Sequence, residues 1–351
     1  GERFWPQSRI SNPKPLLRLV GDLTLIEQTV ERLKSVAVPE NIIIITNRDY
    51  VPPMRSLLPD IPPENIIGEP AGKDTAPCIA MATAVVSAKS ASKNPVMGIF
   101  PADHLIKDVE AFAKVINDSA DLAEEDEGKI VTIGINPTYP SNGYGYIHCG
   151  SRLTSNSDTL FYRGLGFKEK PDPETARKFL ADGSYKWNAG MFIWSVSTIM
   201  DAFRKFAPDL EAAAGAIKKS LKTGNFIETV EKEYSKLDRI SIDYAVMEKI
   251  TDLVVAECSF PWDDVGSWTA LRNQIRPSEN NNIVRGLHSG LNTNDCIIVG
   301  DNNHLIGTID VDDMIIVHTE DVTLVCKTHS AQRLKELVKQ MSADPKFSRY
   351  L

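Results

Sequence analysis

The sequence predicts an α/β protein with a doubly wound, mostly parallel sheet, followed by a small C-terminal β-helix or β-roll. Apolar runs alternate with helical patterns through roughly the first three-quarters of the chain, as in proteins built of βαβ units. A polar segment at residues 277–282 then interrupts the chain. Beyond it, short apolar segments recur about eight to nine residues apart, which is typical of small repeating β structures. We therefore predict domains at residues 1–276 and 277–351.

Individual elements of the first domain follow from local patterns. Thr24 and Glu27 are spaced as a capping box at the start of a helix. The β-branched run at residues 42–45 predicts a strand covered on both faces. Pro77, in the first turn after Thr75, predicts a further helix start. Other predicted elements are strands at 96–100 and 130–135, and helices at 112–122, 173–180, 196–206, 210–221, 226–234 and 242–250, with irregular structure between the later helices.

The second domain is predicted to consist of short strands and one helix. Aspartate, asparagine and glycine separate its apolar segments, as expected for tight turns between strands. The predicted strands are 296–299, 305–309, 314–317 and 322–325, and the predicted helix is 330–341.

Composition excludes several classes of protein. The formal charge of −8 over 351 residues argues against a nucleic-acid surface, which would be basic. No apolar run approaches the ~20 residues that span a bilayer, so we expect no membrane partner. The five cysteines form no C-x-x-C pair, which favours reduced thiols in a cytoplasmic protein over disulfides or a zinc site.

The first fifteen residues concentrate cations in an otherwise acidic chain. Arg3, Arg9 and Lys14 lie close to Gly1 and several polar side chains. Guanidinium and ammonium groups neutralise polyphosphate oxygens, and glycine lets backbone N–H groups approach them. The alternative is a frayed basic terminus. Because no initiator methionine precedes Gly1, we expect the first strand and most of a glycine loop to lie upstream.

Carboxylates follow the predicted strands where a ligand is expected in such sheets. Asp103 comes just after the strand at 96–100 and would suit either Mg²⁺ with substrate phosphates or a helix N-cap. Asp263 and Asp264 offer a second carboxylate. Glu69 or Asp74, before the helix at Thr75, could accept two adjacent N–H donors of a ligand with one carboxylate. Simple helix capping is the alternative for Asp74 or Thr75.

These segments resemble the sugar-nucleotide pyrophosphorylases, and in particular their mannose-1-phosphate guanylyltransferase branch. The resemblance starts with Gly1-x-Arg3-x-Trp5-Pro6-x-Ser8-Arg9 and Pro13-Lys14, similar to the end of G-G-x-G-x-R…P-K. It continues through P-x-D-H at 101–104, G-Y-G-Y-I at 143–147, F-x-E-K-P at 167–171, W-N-A-G-M-F at 187–192, S-x-D-Y-A-V-M-E at 241–248 and W-x-D-V-G-S-W at 262–268.

The resemblance implies a Rossmann-like nucleotidyltransferase fold and a role for each matched residue. Asp103 and Asp264 would hold Mg²⁺, with Asp264 preferred over Asp263 and His104 a structural hydrogen-bonding residue. The family usually has asparagine where this chain has Asp74, and serine where it has Ala189. The implied catalytic residues are Arg3, Lys14, Asp103 and Lys170; the nucleotide-binding residues are Gly1, Arg9, Glu69, Asp74 and Thr75; and the sugar-phosphate residues are Gly143, Tyr144, Gly145, Glu169, Lys170, Asn188 and Asp243.

The implied reaction transfers GMP from GTP to α-D-mannose 1-phosphate, giving GDP-mannose and pyrophosphate. No protein nucleophile is needed, because the attacking phosphate arrives ionised, and positioning and charge neutralisation do the rest. A monofunctional enzyme and a homodimer are expected. Alternatives are another NTP and sugar pair, a catalytically silent subunit that senses sugar nucleotides, and a dinucleotide-binding oxidoreductase, whose loop would not require the arginine and lysine found here.

Overall fold

The protein consists of two compact units. Its structure, a computed structural model, describes residues 2–126 and 128–351. The β-helix unit contains residues 2–31, 102–105 and 262–351. The sheet unit contains the described residues of 32–101 and 106–261. This division differs from the predicted domains, because residues 2–31, 102–105 and 262–276 belong to the compact unit that contains the β-helix.

The α-helices of the described residues occur throughout the chain. In chain order they are α1 (Leu25–Leu33), α2 (Val51–Leu57), α3 (Thr75–Lys89), α4 (Val109–Glu125), α5 (Pro173–Asp182), α6 (Val196–Phe206), α7 (Pro208–Thr223), α8 (Phe226–Lys236), α9 (Ile242–Ala245), α10 (Leu271–Gln274) and α11 (Leu334–Ser342).

The strands are mostly short. In chain order they are β1 (Ile44–Asn47), β2 (Ile66–Glu69), β3 (Val96–Ile99), β4 (Leu105–Ile106), β5 (Ile130–Ile135), β6 (Tyr146–Leu153), β7 (Phe161–Lys168), β8 (Tyr185–Ser195), β9 (Leu253–Glu257), β10 (Trp262–Asp263), β11 (Ile283–Arg285), β12 (Leu287–Asn294), β13 (Ile297–Val299), β14 (Leu305–Asp312), β15 (Met314–His318) and β16 (Thr323–Lys327).

The large sheet of the sheet unit is mixed, and the predicted mostly parallel arrangement is wrong. Its strand order is β3-β8-β5-β9-β7-β6. Only β5 and β9 pair in parallel among these neighbours, and the others are antiparallel. One antiparallel pair has a local reason: β6 and β7 are joined by a short connection, which permits only antiparallel pairing. The strands β1 and β2 form a separate parallel pair.

The sequence patterns located most helices but missed the middle strands. The predicted strands at 96–100 and 130–135 and the helices now labelled α3 to α8 are confirmed, whereas α9 ends early and continues as a 3₁₀ turn at Met247–Lys249. Predicting only helices and irregular structure between residues 136 and 276 was wrong. The missed strands β6 to β8 contain glycines and several polar residues, which obscure the alternation that marks a strand.

The core of the sheet unit lies on both faces of the sheet. The first five residues of β5 are all buried, so neither set of its alternating side chains faces solvent. Helices must therefore cover both faces, as in α/β sheets. The helix α3, whose buried residues include Ile79, Met81 and Val85, packs with Trp194 and Phe203 in the main apolar cluster.

The β-helix unit is built of parallel coils with a repeat of 18 residues. Leu287 of β12 pairs with Leu305 of β14, and Asn292 donates a hydrogen bond to Asp310 across the same interval, |i−j| = 18. Two strands occur in each coil, which explains the shorter spacing in the sequence. Positions with positive φ, including one inside β12 and one inside β14, are occupied by asparagine or aspartate, which tolerate the left-handed region: Asn281, Asn292, Asp295, Asp310 and Asp313.

The basic N-terminal segment packs on this β structure. Phe4 and Trp5 are buried in one apolar cluster with Trp268, Ile315 and Val317. The Phe4 ring meets Trp268 edge to face, with centroids 5.1 Å apart.

The predicted capping box is present at the start of α1. Glu27 accepts a 2.7 Å hydrogen bond from the Thr24 backbone N–H, and the Glu27 backbone N–H donates to the Thr24 hydroxyl. No helix within residues 2–126 and 128–351 is long and apolar enough to cross a membrane.

Candidate functional site

Lys14 joins the two segments that carry the candidate metal carboxylates. It begins a short 3₁₀ turn after Pro13, and its side chain is only 13% exposed. Its ammonium lies 2.8 Å from Asp103 Oδ2 and donates a 2.6 Å hydrogen bond to the backbone carbonyl of Asp264. All three residues belong to the β-helix unit. One cation therefore holds together segments that lie far apart in the sequence.

Asp103 is kept ionised by this neighbourhood. Its burial would raise the pKa of the carboxyl group, but the charge and hydrogen bond of Lys14 outweigh burial and leave the pKa below its ordinary value. His104 itself accepts a 3.1 Å hydrogen bond from Trp262 Nε1 through its Nδ1. That contact gives His104 the structural partner that the sequence suggested.

The neighbouring carboxylates of Asp263 and Asp264 have different surroundings. Asp263 accepts hydrogen bonds from the backbone of Val265 at 2.7 Å and from Gln274 at 2.9 Å, so it braces the loop. Val265 has φ +46°, a strained conformation for a β-branched residue. The Asp264 carboxylate packs against Gly266, where an added Cβ would lie 3.2 Å from Oδ2. The two neighbouring carboxylates are thus held by different parts of the loop.

The carboxylates of Asp103 and Asp264 are suitable ligands for a Mg²⁺ ion that substrate phosphates also bind. Mg²⁺ is a hard cation that usually binds one or two carboxylates and completes its shell with water and substrate oxygens. Asp103 and Asp264 supply two carboxylates on segments joined by Lys14. Within the described part of the chain, no group of three or more His, Cys, Asp or Glu residues could hold a metal by itself. A bound Mg²⁺ would thus need oxygens from the substrate.

The two arginines of the basic segment have unequal surroundings. Arg3 is exposed, with a long 3.4 Å contact from Nη1 to the Gly266 carbonyl. Arg9 instead places its guanidinium on the carboxylate of Asp321. The structure thus brings Arg3 near the Asp264 loop and gives Arg9 a protein partner. Gly1, predicted to bind nucleotide, lies outside the described residues.

A second cluster lies in the sheet unit and contains the predicted sugar-phosphate residues. The Asn188 backbone N–H donates to the Gly145 carbonyl at 2.8 Å. Its side-chain Nδ2 donates to Asp243 Oδ1 at 3.0 Å. The ammonium of Lys170 is paired with the carboxylate of Glu169. Gly145, Glu169, Lys170, Asn188 and Asp243, which are widely separated in the sequence, therefore meet at one place.

Close packing at Gly145 leaves no room for a side chain unless Glu169 moves. An added Cβ would lie 2.5 Å from Glu169 Oε2 and 3.1 Å from the Phe167 ring. Glu169 is buried, with its backbone N–H bonded to Glu248 Oε1 at 3.1 Å. Lys170 beside it has φ +42°. Strained residues of this kind concentrate at binding and catalytic sites.

Asp243 has a perturbed carboxyl group. Burial, together with the charge of nearby Glu169, raises its pKa to about 6. The carboxylate is nevertheless oriented by Asn188, whose Oδ1 accepts hydrogen bonds from the Thr132 hydroxyl at 3.1 Å and from the Gly190 N–H at 3.0 Å. Asn188 thus has most of its polar atoms committed to the protein and acts on a ligand chiefly through Asp243.

Thr132 and Glu248 are site residues that the sequence reasoning missed. Thr132 is fully buried on β5 and also donates to the Met191 carbonyl at 3.1 Å. Its signal was a hydroxyl inside an otherwise apolar strand, which requires a partner. Glu248 belonged to a recognised motif, but its contact with the Glu169 backbone depends on a fold that the motif does not specify.

The predicted base-binding residues Asp74, Thr75 and Glu69 have different contacts with the protein. Asp74 caps α3 by accepting from the Thr75 N–H at 2.9 Å, and the Thr75 hydroxyl accepts the Ile242 N–H at 2.8 Å. The capping alternative therefore describes the contact of Asp74. Glu69 is partly buried, which raises its pKa although the Tyr234 hydroxyl donates to it at 3.3 Å. Glu69 and Asp74 therefore each accept a hydrogen bond from the protein.

The loop before Gly145 carries an aromatic group. Gly143 donates its N–H to the Ser141 hydroxyl at 3.1 Å. Tyr144 meets Trp187 edge-on at 5.0 Å, and its hydroxyl contacts that of Tyr139 at 3.4 Å. The loop is thereby fixed next to the strand β8 that carries Asn188.

Comparison with known proteins gives the class of the chain. The family model described as nucleotidyl transferase matches residues 1–280, and the one described as MannoseP isomerase/GMP-like beta-helix domain matches residues 286–341. The chain that carries the two clusters is therefore a nucleotidyltransferase. The predicted fold class is confirmed, except for the predicted mostly parallel strand directions.

Relatives that match nearly the whole chain narrow this class. A mannose-1-phosphate guanylyltransferase of Escherichia coli (strain K12) is 35% identical, covering 98% of this chain and 72% of its own length. One of Klebsiella pneumoniae is 37% identical, covering 96% and 71%. A Thermus thermophilus structure described as a mannose-1-phosphate geranyltransferase is 33% identical with TM-score 0.86, covering 97% and 96%. The chain belongs to the mannose-1-phosphate guanylyltransferase family, as its sequence predicted.

Replacing Gly145 by alanine should displace the Glu169 carboxylate, because the new methyl group would lie within 2.5 Å of it. We expect the KM for the sugar phosphate to rise at least about tenfold while the KM for the nucleotide changes little. Gly166→Ala is the matched control, since nothing lies within 4 Å of a Cβ there. Equal kinetics for the two variants would contradict the contact.

Replacing Asp243 by asparagine should stabilise the protein at neutral pH. The wild-type pKa of about 6 lies above the ordinary value, so the ionised buried carboxylate costs stability above pH 6 and this cost disappears as the pH falls toward 4. A two-unit shift corresponds to about 3 kcal/mol at most. We expect a higher thermal midpoint for Asp243→Asn at pH 7.5 and convergence near pH 4.

The exposed Asp238→Asn is the control for that measurement. A midpoint for Asp243→Asn that matches wild type at pH 7.5 would show that the carboxylate is not strained by burial.

Proposed function

We propose that the protein transfers GMP from GTP to α-D-mannose 1-phosphate, releasing pyrophosphate and forming GDP-mannose. The observation that carries the proposal is the Lys14 ammonium, which joins Asp103 to the Asp264 loop. The names of the relatives support the substrate pair. Both carboxylates and the basic residues of the first cluster are present, which argues against a catalytically silent subunit.

In the proposed reaction, an oxygen of the sugar phosphate attacks the α-phosphorus of GTP in line. A new P–O bond forms as the bond to the β-phosphate oxygen breaks and pyrophosphate leaves. Asp103 and Asp264 would hold Mg²⁺, which when bound neutralises charge on the reacting phosphates. Lys14 keeps the two carboxylate segments in register and, with Arg3, adds positive charge for the leaving pyrophosphate.

The sugar-phosphate side is proposed to use the second cluster. Glu169 and Asp243 present carboxylate oxygens to sugar hydroxyls, oriented by Gly145 and Asn188. Lys170, paired with Glu169, is the cation that would meet the 1-phosphate of the attacking group. Gly143 and Tyr144 belong to the adjoining loop. No protein side chain needs to form a covalent intermediate, because the sugar phosphate is itself an oxyanion.

Guanine recognition is assigned to Glu69 rather than Asp74. A carboxylate accepts the N1–H and 2-amino group of guanine together, whereas adenine offers only one such donor on that edge. The Asp74 carboxylate already caps α3. Thr75 is engaged with Ile242 and supports this segment.

We further propose that two copies associate through an apolar face of the β-helix, named here the leucine face. It consists of Leu287, Leu291, Leu305 and Ile309, which are 49–67% exposed. The parallel register sets Leu287 beside Leu305 and Leu291 beside Ile309, so these side chains form two exposed apolar pairs along the two strands. Apolar patches of this kind commonly mark protein interfaces. Five unpaired cysteines support a cytoplasmic location.

Pyrophosphate release with Mg²⁺, measured for four NTPs against mannose 1-phosphate and glucose 1-phosphate, tests the reaction. We expect strong release only with GTP and mannose 1-phosphate. Asp103→Asn should lower kcat at least about a hundredfold because it removes a metal carboxylate. Asp108→Asn, at the N-cap of α4 where asparagine serves as well, is the control. Release with another pair of NTP and sugar phosphate would show a different substrate specificity. Near-normal turnover by Asp103→Asn would contradict the assignment of Asp103 as a metal ligand.

Light scattering tests the leucine face. Leu291→Glu combined with Ile309→Glu should convert a dimer into a monomer, because each buried charge opposes association. Ile227→Glu, an equally exposed isoleucine on α8, should leave the mass unchanged. A wild-type monomer, or a dimer that survives the double substitution, would rule out this face.

A further inference from the structure

Arg9 has almost no hydrogen-bonding capacity left for a nucleotide. A guanidinium has five N–H donors. Its Nε donates to the Pro6 carbonyl at 3.0 Å, and its two terminal nitrogens reach the two Asp321 oxygens at 2.7 and 2.5 Å and the Thr319 hydroxyl at 3.4 Å. The side chain is only 16% exposed. The sequence assigned Arg9 to nucleotide binding, whereas its contacts are those of a tether.

Asp321 lies at the β-helix end of this tether. It belongs to the turn between β15 and β16, where it also accepts a bond from the Thr319 hydroxyl at 3.2 Å. The hydrogen bond and charge of Arg9 lower the pKa of Asp321 to about 2, so the pair is ionised throughout the neutral range. Two parallel N–H···O bonds fix direction as well as distance, unlike a simple point-charge contact.

A second connection fixes the segment on the other side of Pro6. The indole Nε1 of Trp5 donates to the Tyr350 carbonyl at 2.7 Å. The Trp5 carbonyl accepts a bond from Trp268 Nε1 at 3.2 Å. Residues 5 and 9 are therefore both attached to the C-terminal part of the β-helix unit. Arg3 and Lys14, the cations proposed to act on phosphates, flank these attachment points.

The segment also has its own backbone connections. Arg9 and Asn12 exchange N–H···O bonds of 3.0 and 3.1 Å, which close a small loop immediately before Pro13 and Lys14. Moving Arg9 would therefore move the residues that carry the Lys14 ammonium. Lys14 contacts Asp103 and the Asp264 carbonyl at 2.8 and 2.6 Å, distances that small displacements would break.

We propose that Asp321 is a positioning residue for the nucleotidyl transfer: through Arg9 it fixes the basic segment that presents Arg3 and Lys14. In this proposal the β-helix, through Asp321, helps to position the groups that act on the phosphates. Arg9 acts as the tether and is not a ligand of the polyphosphate. The inference rests on the proposed function for its kinetic test, because displacement of about 1 Å at a reacting group can lower a rate substantially.

Hydrogen exchange of the peptides covering residues 2–15 tests the tether without any nucleotide. Asp321→Ala and Arg9→Ala should each raise exchange at Arg9 and Asn12 at least about tenfold, because the loop loses its attachment. Glu320→Ala, the neighbouring exposed acidic residue, should leave these peptides unchanged. Unchanged protection in Asp321→Ala would overturn the proposal.

Kinetics of a charge-swapped variant separate a tether from a direct ligand. Asp321→Ala should lower kcat about tenfold with an unaltered KM for the sugar phosphate, as expected for misplaced phosphate-side groups. Arg9→Asp combined with Asp321→Arg should recover loop protection and most of kcat, because the ion pair is restored in reverse. A swapped variant with a protected loop but the low kcat of Arg9→Ala would instead make Arg9 a polyphosphate ligand.

The two proposals fail in different ways. Absence of turnover with every NTP and sugar phosphate would overturn the proposed function, while the exchange measurement would still test the tether. Normal wild-type turnover with unchanged exchange and kcat in Asp321→Ala would overturn the tether alone.

Discussion

The first cluster depends on the contact of one largely buried ammonium with two acidic segments. Lys14 pairs with the Asp103 carboxylate and donates to the backbone carbonyl of Asp264. A buried cation must find such partners, since its desolvation is otherwise costly. The same contact keeps Asp103 ionised, which a hard metal ligand requires. Packing of Phe4 and Trp5 on Trp268 then determines where the segment that carries Lys14 can lie.

Both clusters achieve close approach through glycine and through strained backbone. Gly145 makes room for Glu169, and Gly266 makes room for Asp264. Lys170 and Val265, next to those carboxylates, have positive φ. Such strain persists only where surrounding contacts overdetermine it. The carboxylates are consequently held in fixed directions before any ligand arrives, which lowers the entropy lost when charged groups are aligned for phosphoryl transfer.

Particular elements show how far sequence patterns extend. The strand β5 and the helices α3 and α4 could be located because apolar periodicity, proline placement and capping residues all agree there. The strands β6 to β8 could not, because their glycines and polar side chains are set by the cluster they carry rather than by a regular pleat. Thr132 was missed for a related reason: its hydroxyl matters only because β8 brings the Asn188 side chain within hydrogen-bonding distance.

The sequence by itself determined the family and the order of the motifs, and the resemblance to that family supplied most candidate site residues. Such motifs can be recognised because few side-chain types bind phosphates, a hard cation or sugar hydroxyls. Tertiary structure alone decided which protein groups these residues contact. It bonded Asp263 to the Val265 backbone and to Gln274, and it attached Arg9 to Asp321 across 312 positions. Contacts over such distances depend on the path of the chain, which no local pattern encodes.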